Sequence, residues 1–375
     1  MGSMAYRKIS GRKGQIELTF NWVYILIAGT VILLFFVALV ARQKQVSEER
    51  LSGDVVEVMS SILAGAGVSE KTKNFIDASG LADYTLYFQC LDGVGEFGIK
   101  DRPARIQNSI DPIFAPREVQ SSRIVTWSLP YTMPFKVMDF LFIIPATVKY
   151  YVVGNDADFV NEFLNSTEGI ERVFVPGLEQ IEPEENLQVR IIDTSGTVIP
   201  GSAVPAQLQS FEDAEVSAVV FTGTNQVDFY QKDGSTWRKL NQKAVRVISL
   251  PGERDAAKCA AIFTADDQSY WCNMNKALTR LELLTKVYGG ADVAYGEGGG
   301  KLGELINYYK DDFSSDCRGH LEQYNENALD ALAKLSHATT ACRLQQDSCV
   351  DLIDAAEALK KINDKLRVSC SVSLY

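Results

Sequence analysis

LTFNWVYILIAGTVILLFFVALVA runs from Leu18 to Ala41 without one charged side chain. About 20 apolar residues are needed to cross a hydrocarbon core roughly 30 Å thick. A helix apolar on every face has no polar side to offer water. The stretch therefore reads as a transmembrane helix, with the lipid bilayer as its partner. Trp22 and Tyr24 lie near its N-terminal end, where an interfacial aromatic belt would place them. No second stretch matches it. Phe140 to Ala146 is apolar but too short to span, and reads as a buried strand.

Arg7, Lys8, Arg12 and Lys13 precede the segment, with no acid between Met1 and Gly14. Arg42, Lys44 and Arg50 follow it, interleaved with Glu48 and Glu49. The cationic bias before the segment predicts a single-pass chain with its N-terminus cytoplasmic and its C-terminal body outside. The 375 residues carry 37 Lys+Arg against 48 Asp+Glu, a net charge of −11, and the part after the basic leader is more acidic still. That balance argues against a nucleic-acid partner, because phosphate binding is driven by clustered Lys and Arg. A hydrophobic share of 46% and a charged share of 23% are those of a folded chain with ample core. All seven cysteines lie after the apolar segment, on the side where disulfides persist if the body is exported.

The junction Arg12-Lys13-Gly14-Gln15-Ile16-Glu17-Leu18 resembles the class III signal of archaeal type IV pilin-like proteins: a basic pair, a Gly, a polar residue, then the apolar helix. The Gln-x-Glu beginning is similar to that of TadE-like membrane-anchored pilus proteins. The resemblance is confined to this junction and the apolar run that follows it. It implies cleavage by a prepilin-type peptidase between Gly14 and Gln15. It also implies a mature hydrophobic helix that associates with its own kind, or with other pilus and cell-surface proteins, in a filament core. Two features depart from the pattern. The fifth mature position, acidic in many pilins, is Thr19, and the acid Glu17 is third. The body is also much larger than that of a major pilin. The rest of the chain resembles uncharacterised single-pass archaeal membrane proteins, which implies no function.

Beyond the apolar segment Val46, Leu51, Val55, Val58, Met59 and Ile62 recur at mostly three- and four-residue steps, extending the helix as a stalk. Gly65-Ala66-Gly67 is expected to end it. From Thr85 the texture turns to strands. Thr85 to Cys90 and Phe97 to Lys100 flank a Gly-containing hairpin loop. Thr147 to Val153, Asp156 to Leu164 and Arg172 to Val175 read as strand, helix, strand. More strands follow to Leu250, with a hairpin turn at Asp233-Gly234. The fold class is therefore α+β: a long N-terminal transmembrane helix, a mixed α/β ectodomain with β-hairpins, and a C-terminal disulfide-linked helical hairpin. The expected divisions are a leader (1–14), transmembrane and stalk helix (15–67), a β-rich part (68–139), a mixed α/β domain (140–290), a Gly-rich linker (291–303) and the helical hairpin (304–375).

Chemistry is harder to find. The turn from Ala218 through Thr222 and Gly223 to Asn225 follows an apolar strand, as in many ligand-binding α/β domains. Val153-Gly154-Asn155-Asp156 has one glycine and is no dinucleotide fingerprint. No Gly-x-Ser-x-Gly elbow occurs. Gly296 to Leu302 lacks the first Gly of a phosphate loop, and Leu302 stands where it needs Ser or Thr, so it reads as flexible linker. The pairs Asp266-Asp267 and Asp311-Asp312 have no Ca²⁺-loop spacing and read as solvated turns. His320 and His337 fall on one predicted helix without a third ligand nearby. No catalytic, metal or cofactor residues are assigned.

Lys258 to Asn273 can be folded as a hairpin turning at Ala265-Asp266, which sets Cys259 opposite Cys272 and predicts a disulfide between them. Leu321 to Leu335 and Ile353 to Leu366 read as two antiparallel helices, the second capped by Asp347 or Ser348. Cys342 and Cys349 flank their turn, and Cys317 and Cys370 lie at the open end. The nested pairs Cys342–Cys349 and Cys317–Cys370 satisfy both ends; Cys317–Cys342 with Cys349–Cys370 is the alternative. Cys90 is left over, either buried in its strand or available for an intermolecular bond, with burial favoured. Asn165-Ser166-Thr167 is a glycosylation sequon, usable only in the exported orientation.

The sequence thus favours an exported, membrane-anchored structural or adhesion protein of the pilin-like class. A tethered ligand-binding module using the α/β domain is the alternative. An anchored enzyme ranks below both, because no nucleophile, base and orienter stand at recognisable spacing.

Overall fold

A computed structural model describes residues 14–68, 73–223, 225–250, 255–310 and 316–375. A single unbroken helix, α1 (Gly14–Val68), carries the apolar stretch and the segment after it. Its span Trp22–Val40 is long and apolar enough to cross a membrane, and none of it is buried in the body. At 1.5 Å per residue those 19 residues cover about 28 Å, close to a hydrocarbon core. The described helix ends at Val68, directly after Gly65-Ala66-Gly67. Its outer end is held by packing: Met59, from the predicted stripe, and Val56 beside it are buried in the body. Packing of one face outweighs the weak helix propensity of glycine. The side chains of Val46, Leu51, Val55, Val58 and Ile62 lie outside the described part of the molecule, as do leader residues 1–13.

Eight strands follow: β1 (Lys73–Asp77), β2 (Leu86–Leu91), β3 (Val94–Ile99), β4 (Arg105–Asn108), β5 (Ile113–Phe114), β6 (Glu118–Val119), β7 (Arg123–Thr132) and β8 (Lys136–Pro145). They form two sheets, ordered β1-β7-β8-β5 and β4-β3-β2-β6. The hairpin of β2 and β3 is tighter than expected. Leu91 pairs with Val94, leaving only Asp92-Gly93 in the loop. Both have positive φ, 51° and 81°, as the two-residue turn that matches strand twist requires.

The middle strands of the central sheet, β7 and β8, are buried on both faces. Val125, Trp127, Phe140 and Phe142 point into a large core with the later elements. Ile124, Leu141 and Ile143 point the other way, into a second core with Val56 and Met59 of α1 and Phe88 and Phe97 of the outer sheet. Two-sided burial explains why β8 is continuously apolar from Phe140 to Pro145 rather than alternating.

The third sheet holds β9 (Val148–Val153), β10 (Arg172–Phe174), β11 (Gln188–Asp193), β12 (Val216–Phe221), β13 (Gln226–Asp233) and β14 (Thr236–Lys239) in the order β10-β9-β11-β12-β13-β14, with β15 (Val245–Arg246) against β13. The strand–helix–strand unit is present. The first helix after α1 is α2 (Ala157–Ser166), which joins β9 to β10 in parallel. β9, β11 and β12 are parallel, and β13 and β14 return antiparallel through Gly234-Ser235.

The remaining helices are α3 (Ala256–Phe263), α4 (Asp267–Gly289), α5 (Gly300–Tyr308), α6 (Ala328–Leu344) and α7 (Cys349–Ser369). The hairpin expected over Lys258 to Asn273 is not formed. Those residues make α3 and the start of α4, because Asp255 and Asp266 each cap a helix, accepting from Lys258 N and Ser269 N. The Asp266-Asp267 pair is accordingly a helix start and not a solvated turn; Asp311-Asp312 lies outside the described residues. The glycines before α5 form a packed corner instead of a flexible linker, with Gly299 N donating to Gly289 O at 2.7 Å. α6 and α7 are antiparallel, but the first helix is shorter than predicted. Residues 319–323 make a separate π-type turn, and Asn327 caps α6 by accepting from Asp330 N. Ser348 begins α7 without a side-chain cap bond.

Candidate functional site

Six cysteines form three disulfides. Cys342–Cys349 and Cys317–Cys370 close the two ends of the helical hairpin, the nested arrangement. Cys259 does not pair with Cys272. Cys272 is joined to Cys90, with Cα atoms 5.7 Å apart, and Cys259 is free and buried on α3. The reason is the helical conformation of 256–289, which turns Cys272 toward β2. Burial pushes the Cys259 thiol well above its ordinary range, so it is a packing group and not a nucleophile. Two of the three crosslinks tie the hairpin to itself. The third ties the outer sheet to α4.

The anchoring face is the end of α1. Its contacts are with β3, β4, β7 and β8, so the helix seats on the central sheet and on the outer one together. Gly14 begins the described helix, and Gln15 lies in its first turn. The cations Arg12 and Lys13 lie outside the described residues.

The other functional candidate is the crevice at the carboxyl ends of the parallel strands. From β9 the chain turns to α2, whose Phe159 and Phe163 join the large core; from β11 it turns to the opposite face, where Ile199, Val204 and Leu208 are buried. Diverging connections of this kind open a crevice, where open α/β sheets bind ligands. Gly154, at φ 116°, lets the two connections meet: a Cβ there would lie 2.4 Å from Thr194 Oγ1. The buried Asp193 carboxylate braces the second connection. It accepts from the backbone N–H groups of Ser195, Gly196, Val198 and Ile199 at 2.8–3.0 Å, and from Ser195 Oγ.

Asp156, Thr194, Phe221, Asn225 and Lys258 line a cavity of 220 Å³ in this crevice. Its charges are already engaged. Asp156 caps α2 through Phe159 N. Lys258 Nζ is 3.2 Å from Asp255 and 4.9 Å above the Phe159 ring. The polar turn singled out after Ala218 is the connection from β12 to β13, closed by Thr222 N to Gln226 O at 2.9 Å. It forms the rim of this cavity through Gly223 and Asn225, while Thr224 lies outside the described residues. The cavity is below the usual size of a small-molecule site.

Among the described residues no group of three His, Cys, Asp or Glu side chains is placed to hold a metal. His320 packs edge-on against Tyr324, and His337 Nε2 lies 2.7 Å from the carbonyl of Ala294. Asn165 is exposed in the last turn of α2. Its sequon partner Thr167 is fully buried, its hydroxyl donating to Phe163 O. Comparison of the chain with protein families, with curated proteins and with solved structures finds no match.

Proposed function

We propose that this chain is an exported, membrane-anchored structural or adhesion protein of the pilin-like class. Its leader is removed between Gly14 and Gln15, and its N-terminal helix associates with other copies or with other surface proteins. The observation that carries the reading is α1 itself. One unbroken helix has an apolar span wholly free of the body and a far end built into the core through Val56 and Met59. A cleavable targeting segment has no need of such a seat. A helix destined to stay joined to the body does. The disulfide-bonded body fits an oxidising exterior, and Asn165 is then on the side where glycosylation takes place.

Intact mass of the protein expressed full length in a host with a prepilin-type peptidase tests the processing. A mature chain beginning at Gln15 is expected. A chain that keeps Arg12 and Lys13 removes the pilin-like reading and leaves an uncleaved anchor. Negative-stain images of the processed protein then decide between filaments and dispersed anchors.

A further inference from the structure

The third sheet changes character along its length. Ile192 of β11 is in register with Val152 and Val219, and Val219 with Phe229, making an apolar row across four strands. One step toward the strand starts, on the same face, the row reads Tyr150, Arg190, Ser217, Gln231 and Arg238. This polar row floors a cavity of 610 Å³ roofed by residues 116–118 and by the α3–α4 connection, Thr264 to Gln268. The volume falls in the range of small-molecule sites.

Two buried side chains in that floor have spare hydrogen-bonding capacity. Arg190 is only 5% exposed. Its Nε donates to Ile262 O at 3.2 Å, and its Nη2 to Ala261 O and Thr264 O at 3.3 and 2.7 Å. Among the described residues nothing accepts from Nη1, and no carboxylate pairs with the guanidinium. Burial lowers its pKa to about 10, so it stays charged at neutral pH. Tyr150 is 1% exposed, and its hydroxyl too has no hydrogen-bond partner among the described residues. Neither Arg190 Nη1 nor the Tyr150 hydroxyl is among the sealed, unpartnered polar atoms of the described residues, so both open onto the cavity, where water or a ligand meets them. The acids nearby are mostly committed elsewhere. Asp266 is taken by Arg117 at 2.6 Å and by the α4 cap, Glu118 by Lys100 at 2.7 Å, and Glu215 by the N–H of Glu212. Asp267 shares the cavity, where burial and the neighbouring Asp266 raise its pKa.

We propose that this cavity binds a small carboxylate-bearing ligand, its oxyanion held by Arg190 Nη1 and the Tyr150 hydroxyl, with Ser217 beside them on the floor. A singly charged carboxylate suits the site better than a phosphate dianion, because Asp267, Glu118 and Glu215 line the same walls. The site does not depend on how the chain is processed or assembled.

Full-length protein in neutral detergent micelles, with both C-terminal disulfides and Cys90–Cys272 intact, is titrated with butyrate, a monocarboxylate, with inorganic phosphate and with chloride at matched ionic strength, and thermal unfolding is followed. Saturable stabilisation by butyrate, weaker with phosphate and absent with chloride, is expected. Tyr150→Phe should weaken butyrate binding about tenfold, the worth of one hydrogen bond to a charged group. Ser217→Leu, which places a larger side chain on the cavity floor, should abolish it. Arg190 itself holds the end of α3, so these two variants carry the test. A response no greater than that to chloride, or one that both folded variants retain unchanged, overturns the proposal.

Discussion

The three disulfides close loops of very different size, and their contributions should rank accordingly. Cys90–Cys272 spans 182 residues, Cys317–Cys370 spans 53 and Cys342–Cys349 spans 7. In the chain-entropy account these closures restrict the unfolded state by about 5, 4 and 2 kcal/mol. The inner bridge shortens the outer C-terminal loop too little to alter that order. The helical hairpin and one face of the third sheet share a continuous core with the central sheet, so one transition reports all three losses. The perturbation is a pair of Cys→Ala substitutions at each bridge in turn, made in the full-length protein in micelles. Urea unfolding is followed by the fluorescence of Trp271, next to Cys272, and of Trp127 in the central sheet. The Cys90→Ala/Cys272→Ala protein should lose the most, and Cys342→Ala/Cys349→Ala the least. Equal losses, or a larger loss at the smallest loop, would refute the loop-closure reasoning and shift the weight to local packing around each sulfur pair.

Other outcomes follow from single sites. Leu33→Arg sets a charge near the middle of the exposed apolar span and should cost about 3 kcal/mol of membrane insertion; the fraction surviving alkaline carbonate extraction should fall, and an unchanged fraction means that α1 does not span. Gly154→Ala drives a Cβ against Thr194 Oγ1 and the N of Ser195 at a positive φ, and should lower stability by about 1–3 kcal/mol in urea. Lys276 donates to the carbonyls of Asn108 and Asp111, and burial lowers its pKa to about 8. Above that pH the folded chain sheds a proton that the unfolded chain keeps up to its ordinary 10.5. Stability should therefore rise with pH, by about 1 kcal/mol between pH 8 and 9. The window stops there because burial raises the pKa of Cys259, Tyr131, Tyr150 and Tyr270: the unfolded Cys259 thiol, ordinarily 9.0, begins to ionise within it and offsets part of the rise, and the unfolded tyrosines follow above it and reverse the slope. Lys276→Met should flatten the rise; an unchanged slope assigns it to another group.

The parts of the fold that could be read from sequence are those whose signal is local. An all-apolar run, the β9–α2–β10 alternation and two amphipathic helices with flanking cysteines each announce themselves within a short window of chain; the glycine hairpin turns do so too, but not their exact register, since the turn read at Asp233-Gly234 lies at Gly234-Ser235. The misreading of Lys258 to Asn273 shows the limit. CAAIFTADDQSYWC alternates poorly for either a strand or a helix, and what decides it is the pair of Asp caps at 255 and 266. Once Cys272 is on a helix, its partner Cys90 is chosen by tertiary packing from far up the chain, which no spacing rule can show. The Arg190 cavity was equally hidden. Tyr150, Arg190, Ser217, Gln231 and Arg238 come from five different strands, and only strand register sets them side by side. Arg190 alone carried a signal, as a single charge inside the apolar run of β11.

The way α1 is joined to the body bears on what the body can withstand. A helix followed by a loose linker would pass any pull along it to the first residue of the body, and that end would fray first. Here the pull enters elsewhere. Val56 and Met59 seat the helix against Leu141 and Ile143 of the central sheet, and β1, a few residues beyond the helix, pairs along its whole length with β7. The middle strands of that sheet, β7 and β8, are packed on both faces, so they cannot separate without opening two cores. The outer sheet closes over the same seat, and Cys90–Cys272 bolts it to α4. Tension along α1 therefore meets two strands buried on both faces and a sheet held by a covalent link.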